Sequence, residues 1–253
     1  MYHQFKNRIT LDGVLKADTA LYIGAGQESF SPMAVQGSLL KNALGYPYIP
    51  GSSLKGVLRS FLESVQSGMD DVVQPKDCVC CKNELKGKKE REARGSAEEL
   101  ALYIAQNSCP ACKLFGNGVM AGKLKFADAA LLDVGAWMGT EIRTSNAIDR
   151  DTHTANTGTG ALFDTEAIPA GTEFALRVTA ENLTEEEARI FGELMQYFAE
   201  GGITVGGRSR AGLGMVKVEG ISLTLYYLNG KDFAPVSKEI ALKELAEEVK
   251  PYV

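Results

Sequence analysis

The sequence predicts an α+β domain with an RRM- or ferredoxin-like core, and three observations carry that expectation. Strand-like and helix-like stretches follow one another in the order strand, helix, strands, helix, strand, which is the order of that core. Apolar residues at helical spacing mark the two core helices, the second of them opened by a capping box at Thr184 and Glu187. A charged, cysteine-containing stretch over residues 70–122 interrupts the order and reads as an insertion. Residues 1–253 are thus expected to form a single RRM-like domain carrying two additions, that insertion and a protruding hairpin at 143–165.

Phe5–Leu15 alternates as a first strand, and the Gly-, Ser- and Asn-rich segment Leu21–Tyr48 reads as a long loop with a short strand. Leu54, Val57, Leu58, Phe61, Leu62 and Val65 then fall on one stripe of a helix, with Ser52 or Ser53 placed to cap it. Lys55 and Arg59 lie off that stripe. Within the insertion a short helix is expected at Ala97–Gln106, opened by a capping box of Ser96 and Glu99. Residues 123–135 return to strand character. Residues 143–165 are rich in Thr, Asn, Gly and Asp, too polar for a core, and suit a long hairpin or loop. Phe174–Ala180 reads as a strand, and the following helix puts Ala188, Phe191, Met195 and Phe198 on one face. Strands at Met215–Val218 and Ile221–Leu228 and a helix near Lys238–Val249 complete the chain.

A hydrophobic fraction of 45% is ordinary for a globular protein, and 253 residues are enough to bury a sizeable core. No apolar run approaches the roughly 20 residues of a membrane span, and the start of the chain shows no apolar signal core, so a cytoplasmic location without membrane contact is expected. The net charge of −5 excludes a uniformly basic nucleic-acid binder but not a local basic track. Much of the acid sits at Glu185–Glu187 and Glu239–Glu248, where solvated helix faces account for it.

Cys78 and Cys81 form one C-x-x-C, and Cys109 and Cys112 form a second. Each knuckle can set two thiolates about 3.5–4 Å apart, the separation that tetrahedral Zn–S bonds of ~2.3 Å demand. Four thiolates fill the coordination sphere and leave no place for a reactive water, so the expected cofactor is a structural Zn²⁺. Disulfides do not suit a chain without an export signal. Cys80 is left over and would be able to replace a neighbour.

Three further segments are not explained by packing. Pro50-Gly51-Ser52-Ser53-Leu54-Lys55-Gly56 places small residues, two hydroxyls and Lys55 at a helix start, a setting suited to phosphate, although serine before a helix is ordinarily only a cap. Gly206-Gly207-Arg208-Ser209-Arg210-Ala211-Gly212-Leu213-Gly214 has four glycines that admit close backbone approach and two arginines, and fits neither a P-loop nor a dinucleotide fingerprint. Arg143–Phe163 carries Asn146, Asp149, Arg150, Asp151 and His153 into a Gly/Thr-rich tip; an isolated histidine in such a loop is usually only surface.

These segments, in order, resemble the RAMP superfamily, and within it the repeated backbone subunit of type III CRISPR effector complexes. Leu21-Tyr22-Ile23-Gly24-Ala25-Gly26 resembles the family's glycine motif after the first strand, and Tyr48–Gly56 its signature helix start. Cys112-Lys113-Leu114-Phe115-Gly116 is similar to its Cys-x-Leu-Phe-Gly, and Ala147–Thr152 with Pro169–Phe174 to its thumb hairpin and the strand beyond. Gly206–Gly214 resembles its C-terminal Gly-rich loop. The resemblance implies subunits stacked head to tail along a guide RNA (crRNA), together with copies of themselves or homologous backbone subunits. It implies that Ser52, Ser53, Lys55 and Arg59 at the helix, Arg143, Arg150 and His153 on the thumb, and Gly207, Arg208 and Arg210 in the Gly-rich loop hold RNA. The thumb would wedge into the guide–target duplex and leave a flipped nucleotide.

Many relatives carry a catalytic Asp in the loop between the glycine motif and the helix start. Residues 24–50 contain no Asp, Gln36 stands about where it would fall, and Glu28 is the one acid. Asp149 and Asp151 are the nearest replacements, and a carboxylate there would hold Mg²⁺ and assist 2′-hydroxyl attack on the next phosphate. Two other readings compete. A stand-alone endoribonuclease that processes CRISPR repeat RNA usually needs two RRM-like halves and a histidine base, whereas one core and only His3 and His153 are visible. An unrelated zinc-ribbon docking module leaves the Gly-rich segments unexplained.

Overall fold

The computed structural model describes residues 4–26, 37–69, 72–85, 87, 91, 95–146, 154, 162–228 and 236–253. In chain order its main elements are β1 (Asn7–Ala17), β2 (Tyr48–Ile49), α1 (Gly51–Gln66), α2 (Ala97–Asn107), α3 (Pro110–Phe115), β3 (Leu124–Phe126), β4 (Ala129–Ala130), β5 (Glu141–Asn146) and β6 (Leu162–Ala167). Then follow β7 (Glu173–Glu181), α4 (Glu185–Ala199), β8 (Val216–Tyr227), β9 (Val236–Ile240) and α5 (Leu245–Val249).

Alternation decides the central sheet. Ile9, Leu11, Leu15 and Ala17 of β1, and Phe174, Leu176, Val178 and Ala180 of β7, are buried on one face. The sheet order is β3-β7-β1-β8-β9, and every pairing is antiparallel. Without the additions, β1-α1-β3-β7-α4-β8 in that spatial order is the RRM- or ferredoxin-like core that the sequence predicts.

The two expected strands at 215–218 and 221–228 are in fact one strand, β8. Its register against β1 shifts between Asp12 and Val14, because an extra residue on β8 is accommodated opposite Gly13. Gly220 takes a positive φ of 62° there, and a Cβ on Gly13 would stand 2.9 Å from Val218 Cγ1. The bulge keeps Val216 and Val218, then Leu223 and Leu225, on the buried face despite the change from even to odd numbers.

Helix α1 begins two residues earlier than a Ser52 cap would set it, and three earlier than a Ser53 cap. Its N-cap is Pro50, which makes no side-chain cap bond. The Gly51 N–H is instead taken by Asp128 Oδ1 at 2.8 Å, from a segment far along the chain, so neither Ser52 nor Ser53 caps the helix. Gly51 is required by close approach, since a Cβ would lie 2.2 Å from the Phe126 carbonyl oxygen. Both expected capping boxes are present, Ser96 with Glu99 and Thr184 with Glu187. The expected C-terminal helix at 238–249 is a correction as well: β9 takes up the exposed edge of β8, and only Leu245–Val249 is α-helical. Edge hydrogen bonding outweighs a helical apolar pattern that is only a few residues long. No helix among the described residues is long and apolar enough to cross a membrane.

Candidate nucleic-acid interface and cysteine site

The insertion forms its own small cluster of Val79, Leu85 and Ile104, while Cys78, Cys109 and Cys112 are buried as part of the main core. The ring of Pro110 suits the first turn of α3, which brings Cys109 and Cys112 round to the first knuckle. The sulfurs of Cys78, Cys81, Cys109 and Cys112 all lie within 4.8 Å of one another, with Cys81 at 3.9 Å from Cys109 and 3.6 Å from Cys112. A tetrahedron of Zn–S bonds of ~2.3 Å has edges of about 3.8 Å, so this donor set fits a four-coordinate thiolate-loving ion. Packed this closely, the thiols compete for protons. Hydrogen bonds from Cys109 and Cys112 hold Cys78 far below the usual thiol range, while bonds with Cys109 and Cys78 raise Cys112, and burial pushes Cys81 up to about 12. A shared cation would remove that competition by stabilising every thiolate. Cys80 is outside the cluster; its sulfur lies 3.2 Å from Ser108 Oγ.

Helix α1 is fastened to this site at two points. Arg59 donates to the Gly116 carbonyl at 2.9 Å, to Glu63 at 2.8 Å and to Cys112 Sγ at 3.8 Å. The buried Gln66 accepts from the Ala111 N–H at 3.1 Å. Arg59, expected at the RNA, therefore faces the cysteines.

The other end of α1 belongs to a different surface. Ser52 is exposed, and Ser53 and Lys55 are half-buried in the first turn. The β2–β4 bridge, Tyr48 to Ala130, fixes this turn beside β7, and Leu131 bridges Phe174 at the start of β7. The C-terminal end of β1 lies at the same end of the sheet, where Ala17 pairs with Val216 and Lys16 with Glu173. There the chain after β1 meets the Gly-rich loop, through Gly207 N–H to the Tyr22 carbonyl at 2.8 Å and Gly214 N–H to the Ala20 carbonyl at 2.9 Å. It also meets the root of the β5–β6 hairpin, through Leu21 and Ile168. Helix start, Gly-rich loop and hairpin root thus share one end of the sheet.

Arg208 adopts the left-handed conformation, φ 59° and ψ 29°, which costs a non-glycine residue roughly 1–2 kcal/mol. Its guanidinium carbon stands 5.3 Å over the Tyr22 ring centroid. Arg210 is exposed, and neither it nor Lys55 makes an ion pair with another described residue. Arg143 is exposed on β5 and paired with Glu141 at 2.6 Å. Asp149, Arg150, Asp151 and His153 lie outside the described residues, as do Glu28 and Gln36.

The open face of the sheet looks different. Arg8 and Lys125 both reach Glu181, Arg177 reaches Asp12, Lys16 reaches Glu173 and Lys217 reaches Asp18, at 2.6–3.2 Å. Each cation there has an acidic partner.

Tyr22 and Asp128 were not picked out as functional from sequence. A tyrosine after a strand and an aspartate beside a short one look like any others; only the glycines at 24, 37, 206 and 207, which all approach Tyr22 within about van der Waals contact, hint at what surrounds it.

Residues 14–217 match the RAMP superfamily. The chain is 27% identical over 264 residues to the CRISPR system Cms endoribonuclease Csm3 of Methanocaldococcus jannaschii, covering 96% of this chain and 94% of that protein. It is 26% identical over 240 residues to the protein of the same name from Streptococcus thermophilus, covering 88% and 92%. Against that from Mycobacterium tuberculosis it is 31% identical over 183 residues, covering 69% and 64%.

Proposed function

The chain belongs to the RAMP superfamily, and on that premise we propose that it is a guide-RNA-binding backbone subunit of a type III CRISPR effector complex. It holds crRNA, presents it to a complementary target RNA, and stacks with copies of itself or homologous subunits. The observation that carries this reading is the meeting of the α1 start, the Gly-rich loop and the hairpin root at one end of the sheet. Serine hydroxyls and the cations Lys55, Arg208 and Arg210 gather there, a composition suited to sugar and phosphate rather than to base edges. The open sheet face does not compete for this role. Its cations are neutralised, and its central strands offer Tyr226 as their one aromatic among the described residues, where base-stacking sheets use several.

The β5–β6 hairpin over 143–165 serves as the thumb, with Arg143, Arg150 and His153 on RNA. Residues 70–122 form the metal-binding insertion. The metal is a structural Zn²⁺ held by Cys78, Cys81, Cys109 and Cys112, a closed set of four thiolates. Three relatives are named endoribonucleases, and the corresponding activity here would fall to Asp149 and Asp151, with Mg²⁺, in place of the loop Asp that is missing.

Two measurements test the proposal. Size-exclusion chromatography of the purified protein is expected to give an RNA-bound, multi-subunit species; a monomer that cuts repeat RNA would point to a stand-alone processing enzyme. Target cleavage by the assembled complex is expected to vanish in Asp149→Ala/Asp151→Ala with target binding kept. Full cleavage by that double variant would remove the thumb acids from the mechanism.

A further inference from the structure

Tyr22 stands between two segments of the proposed RNA surface, the Gly-rich loop and the hairpin root. The Gly207 N–H donates to its carbonyl, and a Cβ on Gly206 would lie 2.4 Å from that same oxygen. A Cβ on Gly207 would lie 3.1 Å from ring carbon Cδ1, and those on Gly24 and Gly37 would lie 2.9 and 3.2 Å from its hydroxyl. Its ring also packs on the cluster of Ala20, Ala167 and Leu213, which come from its own segment, the hairpin root and the Gly-rich loop. Side chains have been withdrawn around this ring on several sides, and Arg208 lies over it.

Arg208 is the unusual choice. Its left-handed backbone is one that glycine adopts without strain, and glycines stand at 206, 207, 212 and 214 in the same loop. A strained arginine in a loop of glycines points to a use for its side chain. A guanidinium carries five N–H donors in a planar fork, so contact of its carbon with a ring face leaves edge donors able to reach a further partner. The ring's negative face attracts the cation and restricts where that plane can lie.

We infer that Tyr22 is a positioning residue that aims the Arg208 guanidinium at an RNA phosphate. The inference rests on the RNA-binding reading above. Tyr22 itself need not touch RNA; it acts through Arg208, and its hydroxyl is dispensable.

The test is a double-mutant cycle on the full-length protein, with a fluorescein-labelled single-stranded RNA as probe and anisotropy as readout. Arg208→Ala is expected to weaken binding about tenfold and to lower the slope of log affinity against log salt by about one. Tyr22→Leu, which keeps bulk but not the ring face, should weaken binding about three- to tenfold. Tyr22→Phe should bind like the wild type, and Tyr22→Leu should add nothing in the Arg208→Ala background. Should Tyr22→Leu fail to fold, phenylalanines bearing increasing numbers of fluorines at position 22 keep the shape while draining the ring face. Affinity should fall with each fluorine. Additive losses in the cycle, or affinity indifferent to fluorination while Arg208→Ala still weakens binding, overturn the role of Tyr22 alone. Wild-type affinity in Arg208→Ala overturns both this role and the RNA reading of the loop.

Discussion

The cysteine insertion and the Gly-rich loop both hold irregular chain in a fixed place, and they do so by opposite means. At the insertion, four side chains from two knuckles converge and the backbone follows. At the loop, glycines clear space beside Tyr22, and the backbone closes on its segment through N–H bonds to the Tyr22 and Ala20 carbonyls. The first arrangement depends on chemistry particular to sulfur, in a donor set that suits a metal ion. The second depends on space, on positive φ angles and on main-chain hydrogen bonds. The two should therefore fail under different insults, even though α1 reaches from one toward the other.

The largest expected effect is loss of the ion. Structural zinc contributes on the order of 10 kcal/mol to the folding of small zinc domains. Here the sheet has its own core, so Cys109→Ser or stripping with a chelator should open the insertion rather than the whole protein. Hydrogen exchange is expected to speed up over 72–85 and 95–120 and in the second half of α1, where Arg59 and Gln66 lose their partners. The segments 20–24 and 204–215 should keep their protection. Loss of protection in the Gly-rich loop would show that the two regions are not separable.

The converse insult is a methyl group. Gly206→Ala would push a Cβ toward the Tyr22 carbonyl at φ 87°, and Gly214→Ala toward the Val205 carbonyl, 2.5 Å away, at φ 94°. Each should cost about 2–3 kcal/mol by urea unfolding. Gly212 has a φ of 81° but nothing within 4 Å, so Gly212→Ala should cost only about 1 kcal/mol of backbone strain. Equal losses at 206 and 212 would mean that approach to Tyr22 is not what the glycines serve. Metal content should be unchanged in all three.

The same contrast explains what could be read in advance. C-x-x-C spacing is a direct record of ligand geometry, so all four cysteines were identifiable as a group from their positions. Core strands and both capping boxes were equally visible, because their periods and spacings are local. Tyr22 was not, because its partner Arg208 and the surrounding glycines lie on segments that only the folded sheet brings together. The serine cap was misread for a related reason: Asp128 satisfies the Gly51 N–H from across the fold. The C-terminal helix was misread because an unpaired sheet edge recruited its first residues. The cutting acids could be proposed only by elimination, and Asp149 and Asp151 lie outside the described residues.

A smaller effect separates the two ends of α1. Arg59 donates to Cys112 and to the Gly116 carbonyl, so Arg59→Ala should lower metal affinity about tenfold, as loss of an outer hydrogen bond to a ligand commonly does. Competition of Co²⁺ against a chelator would measure it. Its effect on the salt dependence of RNA binding should be nil. Lys55→Ala should do the reverse, lowering the salt slope by about one and leaving Co²⁺ affinity alone. A fall in salt slope with Arg59→Ala would return Arg59 to the RNA side of the helix.

The smallest effect concerns a third kind of fastening, by charge, where the first loop meets the thumb root. Glu166 accepts from Lys41 Nζ at 2.5 Å, Thr140 Oγ1 at 2.7 Å and the Leu39 N–H at 3.0 Å. Burial works to raise its pKa, but the bonds from Lys41, Leu39 and Thr140 more than offset it, and the carboxyl is held below the ordinary glutamate range. A carboxyl depressed in the folded state contributes its full stabilisation above the unfolded pKa of about 4.3 and loses it as pH falls through the lower folded value. Glu166→Gln keeps the shape and loses the charge, so it should cost about 1 kcal/mol at neutral pH. The gap between wild type and Glu166→Gln in urea midpoints should begin to narrow as pH falls below the unfolded pKa of about 4.3 and close only below the lower folded pKa, where both side chains are neutral. A gap that stays constant over that range would make the contact one of shape, like the ring of glycines around Tyr22. A gap that closes would make the thumb root sensitive to acid in a way that the main-chain bonds of the Gly-rich loop are not.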